Sequence, residues 1–365
     1  MADVTNLEKY YEIKEAYNPA IEGRLKNYNA SPLIGAGIVR VQMVDNTKFA
    51  SIENEEAYGE LYKVNDDETL PVAKLFGQSA LLNKDNEFGR AVVITNAEIN
   101  KLMGNIIAGS NIVNTTVTDA ESAKAELIDR AYKTLVQQAV TTICKSFYQA
   151  LAGQLSYLRN TGGSYTNDIA VTNGGSVSKA WSDSTALILG DMIAIDTALR
   201  ALTEPTKLAR GHTIVSRNIM QYILKNAQIQ GLFPWYAQNV SILPSNQVLA
   251  DPTISEYFGK LTEDDSTYKN ESKASTAFLD GNYIICTAQT QDEPVVDVYI
   301  APTQLDPKYQ TTESGTGFST HIYDGLTDPN TPSQSVGALT VGIRGRIGVR
   351  VRKPKRIYRK KVLNI

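Results

Sequence analysis

The strongest pattern along the chain is a period-two alternation near its C-terminal end. From 341 to 352, Val341, Ile343, Gly345, Ile347, Val349 and Val351 alternate with Gly342, Arg344, Arg346, Gly348, Arg350 and Arg352. Successive strand side chains point to opposite faces, so the aliphatic groups share one face and the four arginines the other. Such a strand buries one face and presents the other to water, acids or phosphate. Pro354 ends its pairing.

A different period governs the middle. Between Asp119 and Tyr157, Ile128, Tyr132, Leu135, Ala139, Ile143, Phe147, Leu151 and Leu155 recur at steps of three or four, with no proline and only Gly153 as glycine. This predicts one amphipathic helix over 119–157, about 55 Å long. The heptad is imperfect and unrepeated, so a helix laid across a sheet fits better than a coiled coil. Thr118-x-x-Glu121 is a capping box at its start. Thr95-x-x-Glu98 opens a helix ending near Gly109, and Thr5-x-x-Glu8 a short one to about Ala16, stopped by Asn18-Pro19.

Shorter signals fill in the rest. Gly37–Val44 reads as a strand ended by Asp45-Asn46, and residues 160–180, rich in Gly, Ser, Thr and Asn, as loop. A helix over Gly190–Leu202 is expected to turn Ile193, Ala194, Ala198 and Leu199 inward. Thr213–Val215 is a strand, and Ser216 the N-cap of a helix carrying Ile219, Met220, Ile223 and Leu224. Tyr283–Ala288 and Val295–Ala301 are strands. The class is α+β, and 365 residues favour two or more lobes.

Composition is ordinary, at 42% hydrophobic and 21% charged, so it directs attention to distribution. No apolar run is long enough to cross a membrane, and the polar start Met1–Asn6 lacks the features of a secretory signal; cytoplasmic synthesis without export is the expectation. The net charge is −3, but the last acid is Asp328. Ten Lys and Arg follow it, against 26 before it, where 39 Asp and Glu give a net −13. Such asymmetry points to a partner surface. The acids cluster as Glu53, Glu55, Glu56, Glu60, Asp66, Asp67 and Glu68, opposed only by Lys63.

Candidate chemistry is sparse. Cys144 and Cys286 stand alone in apolar settings and read as buried hydrophobes, without zinc-site spacing. P-loop, His-Glu-x-x-His and Gly-x-Ser-x-Gly patterns are missing, and Gly35-Ala36-Gly37 precedes a strand rather than joining strand to helix. His212 and His321 have no motif-placed serine or aspartate. The 53–68 acids lack the order of a calcium loop. No catalytic residue, metal or cofactor is therefore expected. The basic segment admits three readings: a solvated face, a nucleic-acid contact, or a surface for an acidic neighbouring copy. A pI near 5.6 is low for a dedicated nucleic-acid binder.

The order of these elements resembles the major capsid proteins of tailed bacteriophages, those with the Hong Kong 97-type fold, in particular the lambda-like major head protein branch. Lys179-Ala180-Trp181-Ser182-Asp183, leading into Asp191–Asp196, and the Thr213–Met220 strand-to-helix passage carry the resemblance, which spans residues 35–365. It implies an N-terminal arm (1–34), an extended β-hairpin loop (35–94), a peripheral domain holding the long spine helix (95–180), an axial α/β domain (181–300), and returning peripheral strands with a basic C-terminus (301–365). It further implies self-assembly into hexamers and pentamers of an icosahedral virion shell around double-stranded DNA, contacted non-specifically. Portal, scaffolding and in some cases decoration proteins are the implied partners, and the host bacterial cytoplasm the place of assembly. Two alternatives stay open: an encapsulin-like nanocompartment shell, and a nucleic-acid binder using the basic segment. From the charge split, the 53–68 acids are expected to lie on Arg344, Arg346, Arg350 and Arg352 of a neighbouring subunit. Reversing Arg350 and Arg352 to Glu is then expected to block assembly and spare folding.

Overall fold

The computed structural model describes residues 26–43, 50–54, 78–82, 86–95, 97–99, 101–102, 120–158, 163–202, 211–233, 243, 245–270, 272–288, 294–301, 318–324, 339–352 and 354–364. They form a mixed α+β structure with two hydrophobic cores. The alternating C-terminal segment is strand β15 (Leu339–Val351), which organises the first. Its first part lies between β4 (Asn86–Ile94) and β14 (Phe318–Asp324). Its second part pairs with β13 (Val296–Ala301), which carries β1 (Val39–Met43) in parallel on its far side. Helix α2 (Ala120–Ala152) crosses this sheet, burying Ile128, Leu135, Ile143, Phe147 and Leu151 in the core that holds Val298, Val341 and Ile347. A long helix across a sheet is the expected arrangement.

The helix stops sooner than expected. Gly153 adopts φ +91°, and a Cβ there would stand 2.5 Å from Val171 Cγ2, so the chain leaves the helix at the one residue that can turn. Residues Gln154–Leu158 form β5, paired with β6 (Ser164–Asp168). The expected helix to 157 and loop over 160–180 are both corrected. Leu155 lies four residues beyond Leu151 and extends the helical stripe by count, but Leu155 and Tyr157 are buried at period two between more exposed neighbours. A step of four is common to both periodicities.

The second sheet runs β7 (Thr172–Ser176), β16 (Ile357–Lys361), β12 (Tyr283–Thr287), β8 (His212–Val215), β9 (Lys260–Glu263). It is buried on both faces. Ile214, Ile285 and Ile357 belong to the first core, while Val215, Ile284, Cys286 and Tyr358 belong to the second. Continuous apolar runs such as Tyr283–Cys286 follow from that double burial. Ser216 caps helix α4 (Arg217–Lys225) by accepting from Ile219 N, and Ile219, Met220, Ile223 and Leu224 are all buried, as expected.

Helix α3 (Ile188–Leu202) is rotated from its expected setting. Met192, Ile195 and Leu199 face the core, while Ile193 is 52% exposed and Ala194 is also exposed. Asp196 is buried and accepts from Arg200 Nε at 2.9 Å.

Strand partners differ from the sequential division as well. Strands β1 and β4, from the segment expected to be an extended loop, belong to the first sheet. Strand β13, from the expected axial segment, joins them, whereas β7 and β16 lie in the second sheet. Of the described strands in the expected loop segment, β2 (Ala50–Asn54) and β3 (Gln78–Leu82) pair only with each other. The Thr95 box is formed, with Thr95 N donating to Glu98 Oε2 at 2.8 Å and Glu98 N to Thr95 Oγ1 at 3.3 Å; the helix's far end, the Thr5–Ala16 helix and the Thr118 cap lie outside the described residues.

Candidate assembly surface

Strand β15 separates its faces as the alternation predicts. Val341, Ile343, Ile347, Val349 and Val351 are buried, Arg344 is exposed, and Arg346, Arg350 and Arg352 are half-buried. The residue sequence reasoning missed is Asp297, fully buried on β13. Arg40 Nε donates to its Oδ1 at 2.9 Å and Arg352 Nε to its Oδ2 at 2.7 Å. In register, Asp297 stands opposite Arg40 on one side and Arg350 on the other. A carboxylate so deep is tolerable because two charge-assisted hydrogen bonds replace its water. A signal for it existed: in Val296-Asp297-Val298-Tyr299-Ile300, alternation sets Asp297 opposite the aliphatic face, where only the arginine face could receive it.

This pairing corrects one expectation. Arg352 is engaged within its own chain, so turning it into a glutamate would set two acids together and damage folding. Of the seven predicted loop acids, Glu53 lies in β2 opposite Ser79. Glu55, Glu56, Glu60, Asp66, Asp67 and Glu68 lie outside the described residues. Other C-terminal cations also bond within the chain: the Arg359 guanidinium stacks 3.6 Å over the Tyr283 ring, and Lys360 Nζ donates to the Gly174 carbonyl at 2.8 Å.

Gly37, at φ +77°, turns the chain out of helix α1 (Pro32–Gly35) into β1. Cys144 and Cys286 are both buried, and burial, aided by the Asp264 charge, pushes the Cys144 thiol up to about 12. His321 lies in β14 opposite Gly342. His212, Asp196 and Cys286 line one void of about 10 Å³. That is barely room for one water and none for a substrate. Among the described residues no group of three His, Cys, Asp or Glu is placed to hold a metal, and no helix is long and apolar enough to cross a membrane.

Burial, with the Lys260 charge second, lowers the His212 pKa to about 4, and its Nδ1 has no hydrogen-bond partner. A histidine kept neutral by folding takes up its proton more readily when unfolded. Its stabilising contribution is therefore complete above the unfolded pKa of about 6.5 and is lost as pH falls from there towards 4. Allowing for water at its exposed edge, the loss is about 1–2 kcal/mol. Urea melts between pH 7 and 5, above the range of most carboxylates, should show this slope in the natural chain and not in His212→Asn.

No family model and no curated protein matches the chain. Solved structures align across nearly all of it. A putative capsid protein of a prophage from E. coli CFT073 is 12% identical, with 93% of this chain and 98% of that one covered and a TM-score of 0.49. The capsid of Myoviridae phage XM1 gives 10%, 91%, 92% and 0.48, and the holo-SrpI encapsulin complex of Synechococcus elongatus PCC 7942 gives 9%, 91%, 88% and 0.43. The chain is similar in length and extent to these capsid and encapsulin structures.

Proposed function

We propose that this chain is a major capsid protein of the Hong Kong 97 type, a shell subunit and not an enzyme. The observation that carries this reading is the β2–β3 hairpin. It pairs with no other strand of the described residues, and the 23 residues between its strands hold six of the seven clustered acids. A two-stranded hairpin is at best marginally stable alone in water. A chain that carries a hairpin paired with no other described strand has a use for another surface, and self-association supplies identical ones. On this reading hexamers and pentamers close an icosahedral shell around double-stranded DNA in the host cytoplasm. Portal and scaffolding proteins, and decoration proteins in some cases, take part, and the virion is the final location. A free nucleic-acid binder is the weaker reading, since Arg352, Arg359 and Lys360 already bond within the chain.

The charge split refines the proposal. The 53–68 acids of a neighbouring copy lie on the arginine face of Arg344, Arg346, Arg350 and Arg352, beside the internal pairing of Asp297 with Arg40 and Arg352. Ion pairs there contribute little each, but a row fixes register between copies. Expressed with its scaffold, the natural chain should give closed shells or capsomer rings by electron microscopy and sedimentation. Arg344→Glu with Arg346→Glu should give subunits that keep their circular dichroism and form none. A stable monomer from the natural chain overturns the shell reading. Normal shells from the double variant overturn only the charge pairing.

A further inference from the structure

One buried polar cluster belongs to neither the arginine face nor the His212 void. Tyr148, on α2, donates its hydroxyl proton to Asp264 Oδ2. That proton being used, the Ser31 hydroxyl donates to the Tyr148 oxygen across 3.2 Å. Asp264 is 2% exposed, its Oδ1 accepts from Ser266 N at 2.9 Å, and its own N–H donates to the Val215 carbonyl at 2.9 Å. Three distant parts of the chain meet here: the segment before α1, the long helix, and the exit from β9 into a small hairpin of β10 (Thr267–Lys269) and β11 (Ser275–Ala277).

That hairpin joins neither large sheet. It reaches α2 through a ring stack in which Phe278 lies 5.0 Å from Tyr148 and 4.7 Å from Tyr268. Beside it is a half-open pocket of about 190 Å³ lined by Tyr28, Ser31, Cys144, Tyr148, Tyr268 and Phe278, so that side of the hairpin is incompletely packed. A short two-stranded element beside a pocket, fastened by one polar cluster and one stack, has few contacts to lose on opening.

We infer that Ser31, Tyr148 and Asp264 form a latch that holds the β10–β11 hairpin and the segment before α1 on the long helix, and that releases as a unit while the second core stays closed. The latch does not depend on shell formation, so the two proposals fail separately.

The two cysteines make it testable in the full chain. Cys144 lines the pocket beside the hairpin, whereas Cys286 is 2% exposed in the second core and reports only wider unfolding. In native buffer, Tyr148→Phe should raise the rate of iodoacetamide labelling at Cys144 roughly ten-fold, with Cys286 unchanged. Hydrogen exchange over 267–277 should quicken in parallel. Ser31→Ala, a milder change that keeps the variant soluble, should accelerate Cys144 by roughly three-fold. Equal acceleration of both cysteines, or of neither, in the soluble variants overturns the latch.

Discussion

Asp297→Ala is expected to destabilise the folded chain by about 3–5 kcal/mol, the range for breaking a buried ion pair by removing one partner. The carboxylate is fully buried between Arg40 and Arg352. Removing it leaves two guanidinium groups facing each other across β13 without their shared acceptor, and the stems above them lose their anchor. Asp297→Asn, which keeps the shape and one acceptor, should cost less. Chemical denaturation followed by circular dichroism measures both. A loss below about 1 kcal/mol for the alanine variant would mean that water already solvates the pair, contrary to the burial that defines this face.

Trp181→Ala should cost about 3–5 kcal/mol, the usual range for deleting a large core aromatic. Trp181 is 1% exposed, its N–H donates to the Val362 carbonyl at 2.9 Å, and its Nε1 donates to Asp191 Oδ2 at 2.8 Å. It thereby ties the C-terminal strand to the first turn of α3. Burial already raises the Asp191 carboxyl above its usual range, although the Trp181 hydrogen bond opposes this. Losing that donor raises it further. Trp181→Phe separates the two effects: most of the volume stays but the donor goes, and about 1–2 kcal/mol should be lost. Circular dichroism is the appropriate signal, since the substitution changes the tryptophan fluorescence itself. Equal losses in both variants would place the whole contribution in the hydrogen bond.

The elements legible in the sequence were those whose side chains obey one period. The β15 alternation, the α2 stripe and the Ser216 cap are set by neighbours within a few residues, and each reads directly from spacing. So does the arginine face as a face. Alternation in Val296–Ile300 marks Asp297 as opposite the aliphatic face, but which arginines it meets is not written there, because Arg40 and Arg352 lie far from it in sequence.

The amino-acid order thus determined the long helix, the two-faced strand, the α+β class and the charge split, since local sterics and solvent contrast act residue by residue. Tertiary structure decided the rest. It ended the helix at Gly153, where only a positive φ and no Cβ fit against Val171. It turned Met192, Ile195 and Leu199 of α3 to the core, and it shared strands between sheets that the sequential division kept apart. Each of these depends on which distant surface arrives to cover a residue, and that is settled by the whole chain closing on itself.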